Sequence, residues 1–374
     1  MIIEELEKAA DFVEAGKPDA AFKALKAISR LKGFEGRWYY LYGEAWRLKG
    51  IFDKAIAAYE TAMARGLRET AAAVSTRGSI PRKWGLPAAG FFCQTLIKTA
   101  ACHRALGHEK QAFAFATAAL KAAGKAPALK SEAELELAMA YRLKGDFKKA
   151  SSMLDRILRA YLKKSDHGAA AFILWALGGI YRLEGRYELA IESFKLSGAY
   201  AAKDNDPSAR GYAMFGLGGV LRVAGFMKPA RAAYEQARKL FRKTEDTFAR
   251  AYAECGLANV LRQQGELGAA FDGYRRAHRL YAEIGDKPDL GFVEWGLGEV
   301  YKKQGKFKNA MVCFKSARRL FEGNAEPRGE ILSELSMANV HYLEGHTAEA
   351  DKMYFAAVAK AKKHRLHTYL ESFT

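Results

Sequence analysis

The sequence predicts an all-α protein in which about nine helix-turn-helix repeats stack into a solenoid. The 374 residues include only 8 prolines and are rich in alanine, leucine and lysine, a composition that favours helix. A glycine also recurs every 40 residues from Gly145 to Gly345, within the same pattern of residue types. One helical hairpin cannot bury its apolar face alone, so the repeats are expected to stack as a single array over residues 1–374.

Each repeat is predicted to centre on a glycine that ends its first helix, where a left-handed residue satisfies the last carbonyls. Six of these glycines are regularly spaced, and three upstream ones are less regular. The nine centres are Gly16, Gly50, Gly107, Gly145, Gly185, Gly225, Gly265, Gly305 and Gly345.

Residue types repeat at fixed distances from the glycine. A leucine or methionine stands eight residues before it, a small residue seven before, an alanine five after, and a large side chain nine after. Around Gly265, the stripe Ala253, Leu257, Val260 and Leu261 has helical spacing and is predicted to form core. Small residues allow two helices to approach closely, and the large side chain fills the space beside them.

This pattern resembles the tetratricopeptide repeat family over nearly the whole chain. The run Leu177-Gly178-Gly179-Ile180-Tyr181, followed by Gly185, Ala190 and Phe194, carries the resemblance. The period departs from the family, because the usual repeat has about 34 residues. The resemblance implies a right-handed superhelix whose concave surface is lined by positions 13, 10, 6 and 3 before each glycine.

The spacing from Gly50 to Gly107 breaks the rhythm and predicts an irregular insertion at 67–92 between early repeats. It contains a basic loop, 76–85, with an aromatic residue at Trp84. A decayed repeat, a solvent loop and a binding loop are all compatible with it. The basic segment 359–367 is predicted to be helical and to cap the last repeat.

The position three before each glycine is basic in every repeat from Gly50 to Gly305, and Tyr342 breaks the column. Within it, the predicted anion contacts are Arg142, Arg182, Arg222, Arg262 and Lys302, and the upstream members are Arg47 and Arg104. Aromatic residues predicted to line the same groove are Phe172, Trp175, Tyr212, Phe215, Tyr252, Phe292 and Trp295, and the predicted amide contacts are Asn259 and Asn339. The competing interpretation is structural: the arginines pair with Glu254, Glu294 and Glu334, and the aromatics pack between repeats.

The charge balance favours acidic partners, since 60 Lys and Arg residues against 42 Asp and Glu residues give a net charge of +18. The first hypothesis is a protein-interaction scaffold or regulatory adaptor that binds an acidic extended peptide, because arginine binds carboxylates through two hydrogen bonds. The alternative is single-stranded RNA binding through the same groove, with bases stacked on the aromatics. A third hypothesis is a sensor that tightens around a small ligand or peptide, as in some bacterial regulators with similar repeats.

Catalysis is not expected, because the sequence has no GxxxxGK[ST] phosphate loop, no HExxH and no GxSxG. No catalytic residue, cofactor or metal ligand is therefore predicted. His103 and His108 recur in register with His341 and His346, but a five-residue spacing does not place two histidines on one helical face. The pair His364 and His367 is weak evidence for a metal.

The cysteines indicate a reducing compartment, since Cys93, Cys102, Cys255 and Cys313 form no CxxC pair and two lie in apolar helical patterns. No run approaches the ~18 apolar residues of a membrane span. With no secretory signal at the acidic N-terminus, a cytoplasmic protein is expected. The oligomeric state is open.

Overall fold

The computed structural model describes residues 2–28, 31, 33–73, 88–244, 246–323 and 326–364. All regular structure in these ranges is α-helical, which confirms the predicted fold class. The eighteen helices are α1 (Ile2–Glu14), α2 (Pro18–Lys26), α3 (Glu35–Leu48), α4 (Phe52–Ala73), α5 (Ala88–Ala105), α6 (Glu109–Ala123), α7 (Pro127–Leu143), α8 (Phe147–Lys163), α9 (His167–Leu183), α10 (Tyr187–Lys203), α11 (Pro207–Val223), α12 (Met227–Phe241), α13 (Thr247–Gln263), α14 (Leu267–Ile284), α15 (Lys287–Lys303), α16 (Phe307–Glu322), α17 (Pro327–Leu343) and α18 (Thr347–Lys363).

The helices form consecutive hairpins within two compact units. Unit 1 comprises Met1–Ala209 with Thr244–Asp246, and unit 2 comprises Arg210–Lys243 with Thr247–Thr374. Odd-numbered helices are the first helices of the hairpins and even-numbered helices are the second. Within each unit, a second helix also packs on the first helix of the next hairpin, which gives the stacked packing expected of repeats.

The repeat glycine makes the turn inside each hairpin. All nine have positive φ, between 66° and 86°, a conformation that glycine adopts without steric cost. At Gly145, the following residue, Asp146, donates its backbone N–H to the carbonyl of Tyr141 at 3.0 Å, and Gly145 donates to Arg142 at 3.1 Å. This is the Schellman arrangement, which satisfies the carbonyls at the end of the first helix.

The large residue nine positions after the glycine fills the space between neighbouring first helices. Tyr234 of α12 lies against Gly218 of its own hairpin and Gly256 of the next one. A Cβ added at Gly256 would come within 2.3 Å of the Tyr234 ring, and one added at Gly218 within 2.9 Å. The small residue predicted at Gly218 is therefore needed for the ring to fit, and so is Gly256, which the pattern did not include. The predicted core stripe is confirmed as well, since Ala253, Leu257, Val260 and Leu261 are all buried.

The predicted irregular insertion at 67–92 has helix at both of its ends. Residues 67–73 continue helix α4 and residues 88–92 begin helix α5, because both stretches carry good helix formers such as alanine. The basic loop at 76–85 lies outside the described residues. At the other end of the chain, 359–363 belong to α18, while 365–367 are not described.

The four cysteines are free thiols, three of them buried. Burial raises the pKa of Cys102, Cys255 and Cys313 to about 12, and it also raises the pKa of Cys93. In the described part of the chain, no helix combines the length and the apolar character needed to cross a membrane.

These thiols should be nearly inert in the folded protein. The thiolate is the reactive form, so a pKa near 12 should slow disulfide exchange at Cys102, Cys255 and Cys313 by roughly a thousandfold relative to an ordinary cysteine. We expect a chromogenic disulfide reagent at mildly alkaline pH to label the native protein slowly and all four cysteines in concentrated urea. Fast labelling of the native protein would contradict the burial.

Candidate functional site: the basic row

The basic row consists of Arg142, Arg182, Arg222, Arg262 and Lys302, each in the last turn of a first helix. A cation is favourable there because the C-terminal end of a helix carries partial negative charge. Arg262 is buried, and the other four are partly buried. Arg142 and Arg182 belong to unit 1, and the other three belong to unit 2.

The two upstream members of the column are neutralised inside unit 1. Arg47 makes two hydrogen bonds to Glu44, at 3.0 and 2.9 Å, and Arg104 makes two to Glu136, at 2.7 and 3.3 Å. Burial alone would raise the pKa of Glu44, but Arg47 and hydrogen bonds bring it down to about 2. These two arginines are structural cations, because both of their partners are buried carboxylates.

In unit 2 the basic row meets a buried carboxylate, Glu299. Lys302 Nζ donates to Glu299 Oε1 at 2.8 Å, and Arg262 Nη1 lies 3.9 Å from Glu299 Oε2. Ser336 Oγ donates to the same carboxylate at 3.0 Å and accepts from Trp295 Nε1 at 2.9 Å. We call these five residues the Glu299 network. It leaves Arg262 and Lys302 with a shared acidic partner.

Asn259 is also engaged within unit 2. Its Oδ1 accepts a hydrogen bond from Tyr274 Oη at 2.7 Å, and Tyr274 Oη accepts one from Arg262 Nε at 3.1 Å. The predicted amide contact is thus part of a hydrogen-bonded chain on this face. Asn339, in contrast, is exposed.

The basic row and the aromatic column meet between consecutive repeats. The Arg142 guanidinium lies 5.7 Å from the Trp175 ring centroid, and the Arg262 guanidinium lies 5.0 Å from that of Trp295. Each pair joins the position three before one glycine to the position ten before the next. Such cation–π contacts favour a partly desolvated arginine. The packing interpretation therefore holds for Trp295, which is only 6% exposed.

The remaining predicted aromatics make ring contacts in their own unit, and all of them keep some exposure. Phe172, at 38%, is the most exposed. The ring pairs are Phe172–Trp175 at 5.8 Å, Tyr212–Phe241 at 5.1 Å, Phe215–Tyr252 at 5.0 Å and Phe292–Phe321 at 4.7 Å.

The glutamates suggested by the sequence as partners of the basic row pair elsewhere. Glu254 accepts from Arg276 at 2.9 Å, Glu294 lies 3.1 Å from His278, and Glu334 accepts from Lys360 at 2.5 Å. All three partners belong to second helices. The prediction was wrong because a residue eleven before the glycine faces the second helices and not the last turn of the first helix.

Arg222 lies in the last turn of α11 and is partly buried. Its Nε is buried and has no hydrogen-bond partner. Burial raises the pKa of Cys255 and of Tyr274, and Arg222 acts against that rise at both, so its charge lies near these two side chains. A buried guanidinium N–H without an acceptor is costly unless a ligand supplies one.

A second basic feature of unit 2 was not predicted. A pocket of about 370 Å³ is lined by five arginines, together with Glu254, Glu283 and Leu280; the arginines are Arg238, Arg242, Arg250, Arg276 and Arg279. The sequence does carry a signal for it. Arg238 and Arg279, two of these arginines, stand thirteen and fourteen residues after their glycines, at the positions that Arg318 and Arg319 occupy in the Gly305 repeat.

The histidines that the five-residue spacing was expected to separate lie close together. His103 Nδ1 and His108 Nδ1 lie 3.2 Å apart, and the rings of His341 and His346 are 5.9 Å apart. The helical-face rule does not apply, because the chain leaves the helix between the two histidines. The glycine turn brings them together, with His346 N–H bonded to the His341 carbonyl at 2.8 Å.

Comparison with known families decides the relationship of the chain. Residues 201–373 match the MalT-like tetratricopeptide region, and residues 130–197 match a tetratricopeptide repeat. The chain belongs to the tetratricopeptide repeat family. A comparison of its sequence with curated proteins finds no match.

Solved structures with a similar fold extend over nearly the whole tetratricopeptide array. A Rap protein complexed with competence and sporulation factor gives a TM-score of 0.65 at 14% identity, covering 97% of this chain and 98% of that one. The Rap conjugation gene regulator of plasmid pLS20, in complex with the Phr* peptide, gives 0.61 at 16% identity over 86% and 95%. Aspartyl phosphate phosphatase F from Bacillus subtilis gives 0.58 at 9% identity over 96% and 93%. At these identities the likeness shows the fold and carries no activity.

Proposed function

We propose that this protein is a regulatory adaptor that binds an acidic, extended peptide segment along the first-helix face of its repeats. The observation that carries the proposal is Arg222, whose buried Nε has no acceptor. A peptide carboxylate is the ligand that best fits a guanidinium, because it accepts two parallel hydrogen bonds. The fold likeness adds support, since two of the similar structures are described as complexes, one with the Phr* peptide and one with competence and sporulation factor.

Unit 2 carries further side chains that suit an extended peptide. Partly exposed rings of Tyr212, Phe215 and Tyr252 supply apolar contact, and Asn339 is exposed and available to a peptide backbone. Arg262 and Lys302 are already balanced in part by Glu299. The strongest attraction for an added carboxylate is therefore expected at Arg222 rather than evenly along the row.

Unit 1 carries a smaller version of the same chemistry. Phe172 is exposed beside Trp175, and the Arg142 guanidinium lies over the Trp175 ring. Aromatic residues and arginine are enriched at binding hot spots. We propose that Phe172 and Trp175 make apolar contact with the peptide and that Arg142 supplies a positive charge beside them. Arg182 is proposed as a further contact for an anion.

The test is a selection of random dodecapeptides on the purified full-length protein, followed by fluorescence anisotropy of a selected peptide. We expect enrichment of aspartate and glutamate, and at least about a tenfold weaker Kd for Arg222→Ala, since a hydrogen bond to a charged group contributes roughly 1.5–3 kcal/mol. Arg319→Ala is the matched control, because Arg319 is an exposed arginine of a second helix.

Equal Kd values for the two variants would contradict the assignment of Arg222. Selected peptides without acidic residues would contradict the peptide chemistry. RNA is the competing ligand. Measuring the affinity for a labelled, mixed-sequence single-stranded RNA at several salt concentrations distinguishes it from a peptide. Tight binding with a log–log salt slope of about −0.7 per phosphate contact would favour RNA.

A further inference from the structure

We propose that the turn between α17 and α18 is a binding site for a divalent transition-metal ion of the Zn²⁺ class, held by His341, Glu344 and His346. One ligand atom from each residue lies within 4.8 Å of the other two. Two imidazoles and a carboxylate are a ligand set that zinc uses at sites with an open fourth position. The inference is independent of the proposed peptide binding.

The backbone builds this site. His341 lies in the last turn of α17, Glu344 is the C-cap residue of that helix, Gly345 has a φ of 84°, and His346 immediately precedes α18. The hydrogen bond from His346 N–H to the His341 carbonyl, 2.8 Å, closes the turn. Side chains at these two positions normally make an apolar contact in a Schellman turn. Here both are metal-ligating side chains.

The ring of His341 supports a ligand at this point. Its Nδ1 is buried and has no hydrogen-bond partner. A buried polar atom of this kind needs an explanation, and an unplaced ion is one of the recognised ones. Glu344 and His346 are exposed, so their side chains have room to rotate toward a common centre.

The equivalent turn between α5 and α6 shows how close this turn can bring two histidine side chains. There His103 Nδ1 and His108 Nδ1 are 3.2 Å apart. Two nitrogens bound to one tetrahedral zinc, with bonds of about 2.0–2.1 Å, lie roughly 3.3 Å apart. The glycine turn therefore brings two imidazole nitrogens to the separation of a zinc-bound pair. Of the described residues, only His341, Glu344 and His346 form a group of three ligands.

The experiment is isothermal titration calorimetry of the tag-free, full-length protein with ZnCl₂ in a buffer without chelators. We expect one tight site in the wild type. Loss of an outer-shell partner costs roughly 10–100-fold in metal affinity, so loss of a direct ligand in His346→Ala should cost at least that much. Glu344→Gln should weaken binding in the same direction.

Two control variants fix the location. His278→Ala removes a histidine that pairs with Glu294, and His103→Ala/His108→Ala removes the two-histidine turn; both should retain the tight site. His346 makes no side-chain cap to α18, so His346→Ala should fold, and its circular dichroism should match the wild type.

Three results would overturn the proposal. They are the absence of a tight site in the wild type, unchanged zinc affinity in His346→Ala, and loss of the tight site in His103→Ala/His108→Ala. A thermal melt gives a second readout. Zinc should raise the Tm of the wild type by mass action and leave that of His346→Ala unchanged.

Discussion

Phe321→Ala is expected to destabilise the protein by about 3–5 kcal/mol, the cost of emptying a large aromatic site in a packed core. Phe321, at the end of α16, has no exposed surface. A Cβ added at Gly329 would come within 2.3 Å of its ring, and one added at Gly291 within 2.7 Å. It also makes an edge contact with Phe292 at 4.7 Å. Urea unfolding followed by circular dichroism measures the loss.

Phe355→Ala is the matched control, because Phe355 is 67% exposed in α18. We expect its free energy of unfolding to change by no more than about 0.5 kcal/mol. If both variants lost the same stability, the contribution of Phe321 could not be assigned to its place between the glycines.

Glu299→Ala is the second substitution with a large expected effect, again about 3–5 kcal/mol. It leaves the side chains of Arg262 and Lys302, 9% and 16% exposed, without their shared carboxylate. It also removes the acceptor of Ser336 Oγ. A buried cation without a partner pays its desolvation cost uncompensated. The midpoint of urea unfolding should fall accordingly.

The control and the rescue come from the same unit. Glu322→Ala breaks the pair with Arg318, both about 40% exposed, and should cost less than about 1 kcal/mol. Adding Lys302→Met to Glu299→Ala should restore part of the stability, since one unpaired cation is removed. Additive effects of the two substitutions would mean that Glu299 and Lys302 are not coupled.

The sequence predicted the helical hairpins and their core because both depend on short-range patterns. The glycine turn involves only a few consecutive residues. The residues eight and seven before the glycine, and five and nine after it, pack within one hairpin or against its neighbour. Gly218 and Tyr234 illustrate this, since their sizes alone indicate close helix packing. The position of the basic row could likewise be predicted, and its residues do lie in the last turns of the first helices.

The partners of the basic row could not be predicted from the sequence, because ion pairing depends on the rotation of each helix about its axis and on side-chain length. Glu299 and Glu254 are both in the first-helix series, yet only Glu299 lies within reach of Arg262. Glu254 turns to Arg276 instead. The expectation that the two histidines lie apart was wrong for another reason. The spacing of residues on a continuous helix does not hold for His341 and His346, because they lie on either side of a left-handed glycine.

The fit of each large side chain between small ones also limits how the hairpins can be exchanged. Where the large residue is Tyr234, its neighbours are Gly218 and Gly256. Leu154 is a smaller residue, and it packs in one core with Ala138 and Ala176. A hairpin moved to another place in the array would bring a ring to a methyl group or leave a void beside a leucine, and both cost stability. The repeats look alike in sequence, but they are not interchangeable parts: a chimera that shuffles them has to carry the small residues of the following hairpin along.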